Sequence, residues 1–231
     1  MRQAAQCGRC SRHPRRKKAE QEIVRLAHFD PLTGLANRRS FTSRLEAEIA
    51  AADRGGKGGN LALLLLDLDR FKEVNDLFGH AAGDAMLQKV AQCASAVLRH
   101  GQMLARLGGD EFAIIAPNLP DPQAAGRIAE AVLAAMREEN KLSPGGGLVS
   151  ASIGIALYPL DADEQAALVS HADTALYRAK AEGKDTYRYF EASMGAEARD
   201  RRVLEHDLRQ AVARMNFASS ISRRRKSAAA G

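Results

Sequence analysis

The sequence predicts an α/β fold with a mixed sheet flanked by helices. Three observations predict it. Apolar strand-like runs and amphipathic helical stretches alternate along most of the chain. Two of the runs are joined only by a glycine-bearing turn, which makes an antiparallel hairpin. The remaining strands are separated by helical stretches long enough for crossovers, so one sheet holds both pairing senses.

Each element has its own signal. "AEQEIVRLAHF" sets Ile23, Leu26 and Ala27 at helical spacing. "DPLTGLANRRSF" carries a Pro and a Gly and reads as a turn leading into a helix to about Ala52, with Phe41, Leu45 and Ile49 on one face. "RGGKGGN" is a loop, and "LALLLLDLD" is a buried strand ending in acids, with Asp69 at or past its end. A helix follows from Asp84 to about Arg99, turning Met86, Leu87, Val90 and Val97 inward. The hairpin spans Met103 to Ala116. "DPQAAGRIAEAVLAAMREEN" is a helix announced by Asp121 as cap and Pro122 at the first position. "SPGGG" is a turn and "LVSASIGIALY" a strand with alternation. "DEQAALVSHADTALYRAKAEG" is a helix stopped by Gly183, and "DTYRYF" is a short strand. "AEARDRRVLEHDLRQAVARM" reads as a charged amphipathic helix, and "SSISRRRKSAAAG" has the composition of a disordered tail.

Composition narrows the function classes. The 231 residues suit one domain of ordinary size plus tails. With no Trp and 5% aromatics, the core must be filled by Leu, Ile, Val and Ala. The net charge of +6 suggests a nucleic-acid binder until it is located along the chain. Residues 1–20 contribute +6 and residues 221–231 contribute +4, which leaves −4 for residues 21–220. The acidic centre, without interleaved aromatics, argues against specific nucleic-acid binding. Cys7, Cys10 and Cys93 make no disulfide framework, and Cys7-x-x-Cys10 with His13 is half of a zinc site with no second ligand pair. No apolar run reaches the ~18 residues of a membrane span, and the basic N-terminus lacks a signal-peptide apolar region. The expected location is the cytoplasm.

The chemistry concentrates in acids on separate segments. Asp67 ends an apolar strand, and Asp69 follows on the same face at i+2. Asp110 and Glu111 sit at the hairpin bend, after Gly108 and Gly109, which permit positive φ and close approach of a phosphate. One acid at a strand end is ordinary; a second acidic pair in an independent turn is less so. Clustered carboxylates repel unless a cation offsets them, and hard oxygen ligands without His or Cys suit Mg²⁺, with Mn²⁺ as a substitute. Mg²⁺ so held completes its shell with substrate phosphates, which points to nucleotide chemistry. Asp84 is an acceptor-only carboxylate suited to guanine N1–H and N2–H₂, and Asn75 both donates and accepts. By spacing alone, Asp84 equally suits a helix cap. Lys180 and Lys184 are i, i+4 on one helix face, near its C-terminus, where they serve either phosphates or the macrodipole, and Lys72 carries the same ambiguity.

Together these blocks resemble the GGDEF family of diguanylate cyclases. "DPLTGLANRRSF", "LLLLDLDRFKEVNDLFGHAAGD", "RLGGDEFAII", "SIGIALYP" and "HADTALYRAKAEGKD" occur in the family's order and spacing, from about Asp30 to Phe190. The resemblance implies a five-stranded sheet similar to adenylyl cyclase and polymerase palm domains. It implies condensation of two GTP into cyclic di-GMP with release of two pyrophosphates. By resemblance, Asp67, the Leu68 carbonyl, Asp110 and Glu111 hold the metal, and Asp110 helps deprotonate the 3′-hydroxyl. Asn75 and Asp84 match guanine-reading positions; Phe71, Lys72, Lys180, Lys184, Gly108 and Gly109 match positions around the phosphates. A symmetric product from two GTP implies a homodimer of face-to-face sites.

The chain departs from the family's pattern in three places. The product-inhibition motif Arg-x-x-Asp reads "RHGQ" here, so Arg99 is kept and Gln102 replaces the acid, which predicts weak feedback. After Gly183, Lys184 and Asp185 stand where Arg and Asn are usual; Lys keeps the charge and loses the bidentate fork. Residues 192–217 resemble the connector into an EAL phosphodiesterase domain, but no EAL motif follows. The expected organisation is a lead-in at 1–28, a cyclase domain at 29–191, the connector at 192–217 and a basic tail at 218–231. Sensor and EAL partners are expected outside this chain. A GTP-binding regulatory module of low turnover is the alternative reading.

Overall fold

The computed structural model describes residues 25–54, 60–142 and 150–194. The Cys7/Cys10/His13 group, the connector beyond residue 194 and the basic tails lie outside these residues.

The elements, in chain order, are α1 (residues 25–28), α2 (Arg38–Arg54), β1 (Leu61–Asp69), α3 (Phe71–Phe78), α4 (His80–Val97), β2 (Met103–Gly108), β3 (Glu111–Ala116), α5 (Gln123–Leu142), β4 (Ser150–Tyr158), α6 (Gln165–Ala181) and β5 (Tyr187–Tyr189). They form one five-stranded sheet of order β2-β3-β1-β4-β5. β1 pairs antiparallel with both β3 and β4, whereas β4 and β5 are parallel and joined by α6. The sheet is therefore mixed, as the hairpin and crossover signals predict.

β1 is central, and its continuous apolar run follows from burial on both faces. Ala62, Leu64, Leu66 and Leu68 pack with Leu87 and Val90 of α4 and Leu133 and Met136 of α5. Leu61, Leu63 and Leu65 pack with Phe41 and Leu45 of α2 and Leu168 and Leu176 of α6. The result is three layers, with a core on either side of the sheet. Each fully buried Leu contributes about 1.5–3 kcal/mol, so the alternating leucines alone anchor β1 firmly.

Local capping explains the helix starts. Thr33 donates both N–H and hydroxyl to Asp30 Oδ1, at 2.8 and 2.7 Å, closing the turn before α2. Asn37 Oδ1 then accepts the Ser40 N–H at 3.0 Å, a cap bond. Asp121 Oδ1 caps α5 in the same way through the Ala124 N–H at 2.9 Å, as the sequence predicts.

Three expectations are corrected. β4 shows no polar face: every residue after Ser150 is buried, and Gly154 and Ala156 on the α6 side are small. A Cβ on Gly154 would stand 2.1 Å from the Ala172 carbonyl, so this smallness lets α6 lie close on the sheet. α4 starts at His80, four residues before Asp84, and is preceded by a separate helix, α3, with Gly79 (φ 82°) as the break between them. Asp69 is inside β1 and buried, held by hydroxyls of the neighbouring strand.

Candidate active site

The site assembles where β1 ends beside the β2–β3 turn. Register puts Asp67 directly opposite Glu111, and the Leu68 N–H points to the Asp110 carbonyl at 3.4 Å. Gly108 (φ 137°) and Gly109 (φ 55°) make the bend, in backbone regions that side-chain-bearing residues avoid. A register shift between Arg106 and Gly108 marks a bulge that swings the turn.

The backbones of the predicted acids thus come together. Their carboxylates do not close into a cage: among the described residues no three acidic, His or Cys side chains converge on one point. Asp67 and Glu111 instead each take a cation. Lys180 Nζ lies 2.7 Å from Asp67 Oδ1, and Arg38 Nη2 lies 3.2 Å from Glu111 Oε2. Burial pushes the Asp67 carboxyl above its ordinary value; Lys180 works against this, while Asp110 and Glu111 add repulsion that raises it.

Two arginines that sequence reasoning missed hold the turn from behind. Arg106 donates to the Gly109 carbonyl through Nε and Nη2, at 3.1 and 2.7 Å, and through Nη1 to both oxygens of Asp30, at 3.1 and 3.2 Å. Arg38 Nε donates to the Leu107 carbonyl at 3.0 Å. Burial raises Asp30, but hydrogen bonds from Thr33 and Arg106 outweigh it and hold the carboxyl below its ordinary range.

A second patch lies across the α3–α4 junction. Asn75 of α3 packs against Gly83 of α4: a Cβ there would stand 2.1 Å from Asn75 Oδ1 and 3.2 Å from Phe71 Cε2. This close crossing sets Asn75 beside the residue preceding Asp84. Asp84 is exposed and is the fifth residue of α4, so it is not the cap, which falls at Gly79. Phe71 is half-buried against the core and Lys72 exposed, in the first turn after β1.

Lys180 and Lys184 do not share a helix face. α6 ends at Ala181, and Lys184 sits in the following loop with φ 65°. Arg99 and Gln102 lie at the opposite end of the sheet, lining a cavity of about 400 Å³ with His100 and Arg127. Gln102 Oε1 there accepts the Arg99 N–H at 2.8 Å, so its amide caps its own turn.

No helix among the described residues is long and apolar enough to cross a membrane.

Comparison with known proteins now bears on this arrangement. The bifunctional diguanylate cyclase/cyclic di-GMP phosphodiesterase MucR of Pseudomonas aeruginosa is 42% identical over 197 residues, covering 85% of this chain and 28% of MucR. The diguanylate cyclase TpbB of the same species is 42% identical over 186 residues, covering 80% of this chain and 41% of TpbB. The chain thus spans less than half the length of these relatives. The solved GGDEF domain of TpbB superposes with a TM-score of 0.68 at 40% identity, covering 74% of this chain and 99% of that one. The sheet order, the glycine bend and the acids around it lie within residues 27–186, the stretch matched by the family described as diguanylate cyclase, GGDEF domain; the chain belongs to that family.

Proposed function

We propose that this chain is a diguanylate cyclase that condenses two GTP into cyclic di-GMP and releases two pyrophosphates, acting as a homodimer. The observation that carries the reading is the Asp67–Glu111 register, which sets strand-end and hairpin acids side by side. The names of the relatives support the choice of reaction.

The donor set fits a hard divalent cation, Mg²⁺ or Mn²⁺: Asp67, the Leu68 carbonyl, Asp110 and Glu111 offer only oxygen. Such an ion needs one or two carboxylates and takes its other ligands from water and phosphate, so an open arrangement suffices. Burial raises Asp67 and repulsion from Asp110 and Glu111 adds to it; added positive charge relieves that repulsion. When bound, the ion stabilises charge on the attacking and leaving oxygens.

The residues then divide the work. Asn75 and Asp84 read the guanine edge, and a carboxylate there disfavours adenine, which offers it fewer donors. Phe71, Lys72, Lys180, Lys184 and the backbone of Gly108 and Gly109 surround the triphosphate. Lys180 exchanges Asp67 for phosphate oxygen. Asp110 takes the proton of the 3′-hydroxyl. The 3′-oxygen bonds to the α-phosphorus of the facing GTP, the bond to the β-phosphate bridge breaks, and pyrophosphate leaves. A second such event closes the ring. Each site holds one GTP, so two chains must face each other about a two-fold axis, and positioning supplies much of the rate.

A second reading is a GTP-binding module of low turnover that regulates a phosphodiesterase partner. It is favoured by the ion pairs that engage Asp67 and Glu111. Incubation of the full chain with GTP and Mg²⁺, scored for pyrophosphate and cyclic di-GMP, separates the two. Product that disappears in Asp110→Ala with the fold retained supports the cyclase. Binding without product supports the module, and no GTP uptake removes both.

A further inference from the structure

We infer that Arg137 of α5 is a positioning residue for Lys184, an inference that rests on Lys184 meeting the triphosphate. Lys184 (φ 65°) and Asp185 (φ 45°) are consecutive left-handed residues, neither of them glycine. Asp tolerates that region better than Lys, which takes it at a cost because its Cβ crowds the following carbonyl. Such a conformation persists only where the surroundings over-determine it.

The surroundings here grip the loop from two sides. Arg137 Nε donates to Asp185 Oδ2 at 2.9 Å and Nη2 donates to the Asp185 carbonyl at 2.8 Å. Glu130, two turns earlier on α5, accepts from Arg137 Nη1 at 3.1 Å and aims the fork. From the sheet, Asp69 Oδ2 accepts the Asp185 N–H at 3.1 Å. Asp69 is only 3% exposed, and its remaining acceptor capacity goes to the hydroxyls of Ser150 and Ser152 at 2.9 and 2.8 Å. The loop is closed by Lys184 N–H to the Ala179 carbonyl at 3.2 Å and by Ile153 N–H to the Thr186 carbonyl at 2.9 Å.

None of these bonds uses the Lys184 ammonium, which sits on an exposed residue beside the clamp. The clamp fixes the backbone from which that side chain leaves. Arg137 also offsets the Asp185 carboxylate, a negative charge that otherwise stands next to a cation meant for phosphate. The unusual Asp at this position and the arginine facing it act as one unit.

The test uses the full chain, Mg²⁺ and the GTP analogue with a methylene between the α- and β-phosphorus, which binds without turnover. Affinity is measured by calorimetry, with thermal midpoints as the fold control. Lys184→Ala and Arg137→Ala are each expected to weaken binding about fivefold, the scale of one exposed charge contact. The double variant is expected to bind like Lys184→Ala alone, since Arg137 acts through Lys184. Arg137→Lys, which keeps the charge and loses the fork, falls between and covers the case where Arg137→Ala does not fold. Equal weakening by Arg137→Ala in both backgrounds, or none in either, overturns the inference. If Lys184→Ala binds normally, the phosphate role of Lys184 fails and takes the inference with it. If the unmodified chain takes up no analogue, the GTP reading itself fails.

Discussion

Lys180 Nζ sits 2.7 Å from Oδ1 of Asp67, although Asp67 stands opposite Glu111 in the sheet. The Asp67 carboxylate thus has a lysine that favours its charge against burial and two neighbouring acids. Its raised pKa makes a stability statement. A carboxyl raised on folding favours the native state below its ordinary value of 3.8 and loses that contribution as pH rises through the folded value. At pH 7 the charged form is therefore a cost. Asp67→Asn is expected to abolish product while raising the thermal midpoint at pH 7, with the difference vanishing below pH ~3.8. Lys180 is partly exposed and stays solvated in that variant. A midpoint lowered at pH 7 refutes the assignment.

Asp30 predicts the opposite slope. Its pKa is lowered, so its contribution is complete above 3.8 and is lost as pH falls through the folded value. Asp30→Asn leaves the largely buried Arg106 guanidinium without its charge partner and loosens the Gly109 carbonyl that Arg106 also holds. The expected cost is about 1–3 kcal/mol at pH 7, shrinking as pH falls below ~4. Turnover is expected to fall and KM for GTP to rise, because the turn carries both Asp110 and the glycine backbone proposed to meet the triphosphate. Urea titrations at pH 7 and pH 3.5, with steady-state kinetics, check both halves.

These relationships separate what is legible along the chain from what is not. β1 is readable because burial on both faces forces an unbroken apolar run. The hairpin is readable because two glycines, one of them at φ 137°, interrupt two apolar arms. The acids are readable as residue types at strand ends, yet their partners are not: Arg106 reaches Asp30 across 76 residues and Ser152 reaches Asp69 across 83. A buried Asp satisfied by serines on the next strand looks, in sequence, like any strand-end acid. Lys184 is misplaced by helical counting because the helix stops at Ala181, and the three residues that follow give no periodic signal. Asp84 reads as a cap because the break at Gly79 is short and α3 has no N-cap side chain to announce it.

Gly83 lies in the middle of a readable block, but its purpose appears only from packing. An added methyl meets the Asn75 side chain at 2.1 Å, and that side chain has to turn away from its place against Gly83. Gly83→Ala is expected to keep or slightly raise helix stability, since Ala favours helix over Gly by ~0.5–1 kcal/mol. If Asn75 reads the base as proposed, KM for GTP is expected to rise about tenfold, with a smaller change in kcat. Circular dichroism and steady-state kinetics test the pair of outcomes; an unchanged KM removes Asn75 from the guanine site.

The cavity at the far end of the sheet gives the last prediction. Arg99 and Arg127 both line it, and Arg127 is paired with Asp121 at 2.8 Å. Gln102, standing where the family's product-inhibition motif has an acid, spends its carbonyl oxygen on the Arg99 N–H. A neutral amide so engaged neither orients a guanidinium nor meets a purine edge with full charge. Cyclic di-GMP at tens of micromolar is therefore expected to leave initial rates within about twofold of those without it. Gln102→Asp is expected to introduce inhibition at the same concentrations, because the new carboxylate pairs with the guanidinium of Arg99 and accepts from guanine. Rates measured with added product decide the matter: strong inhibition of the unmodified chain that Arg99→Ala relieves shows that the glutamine does not disable the site.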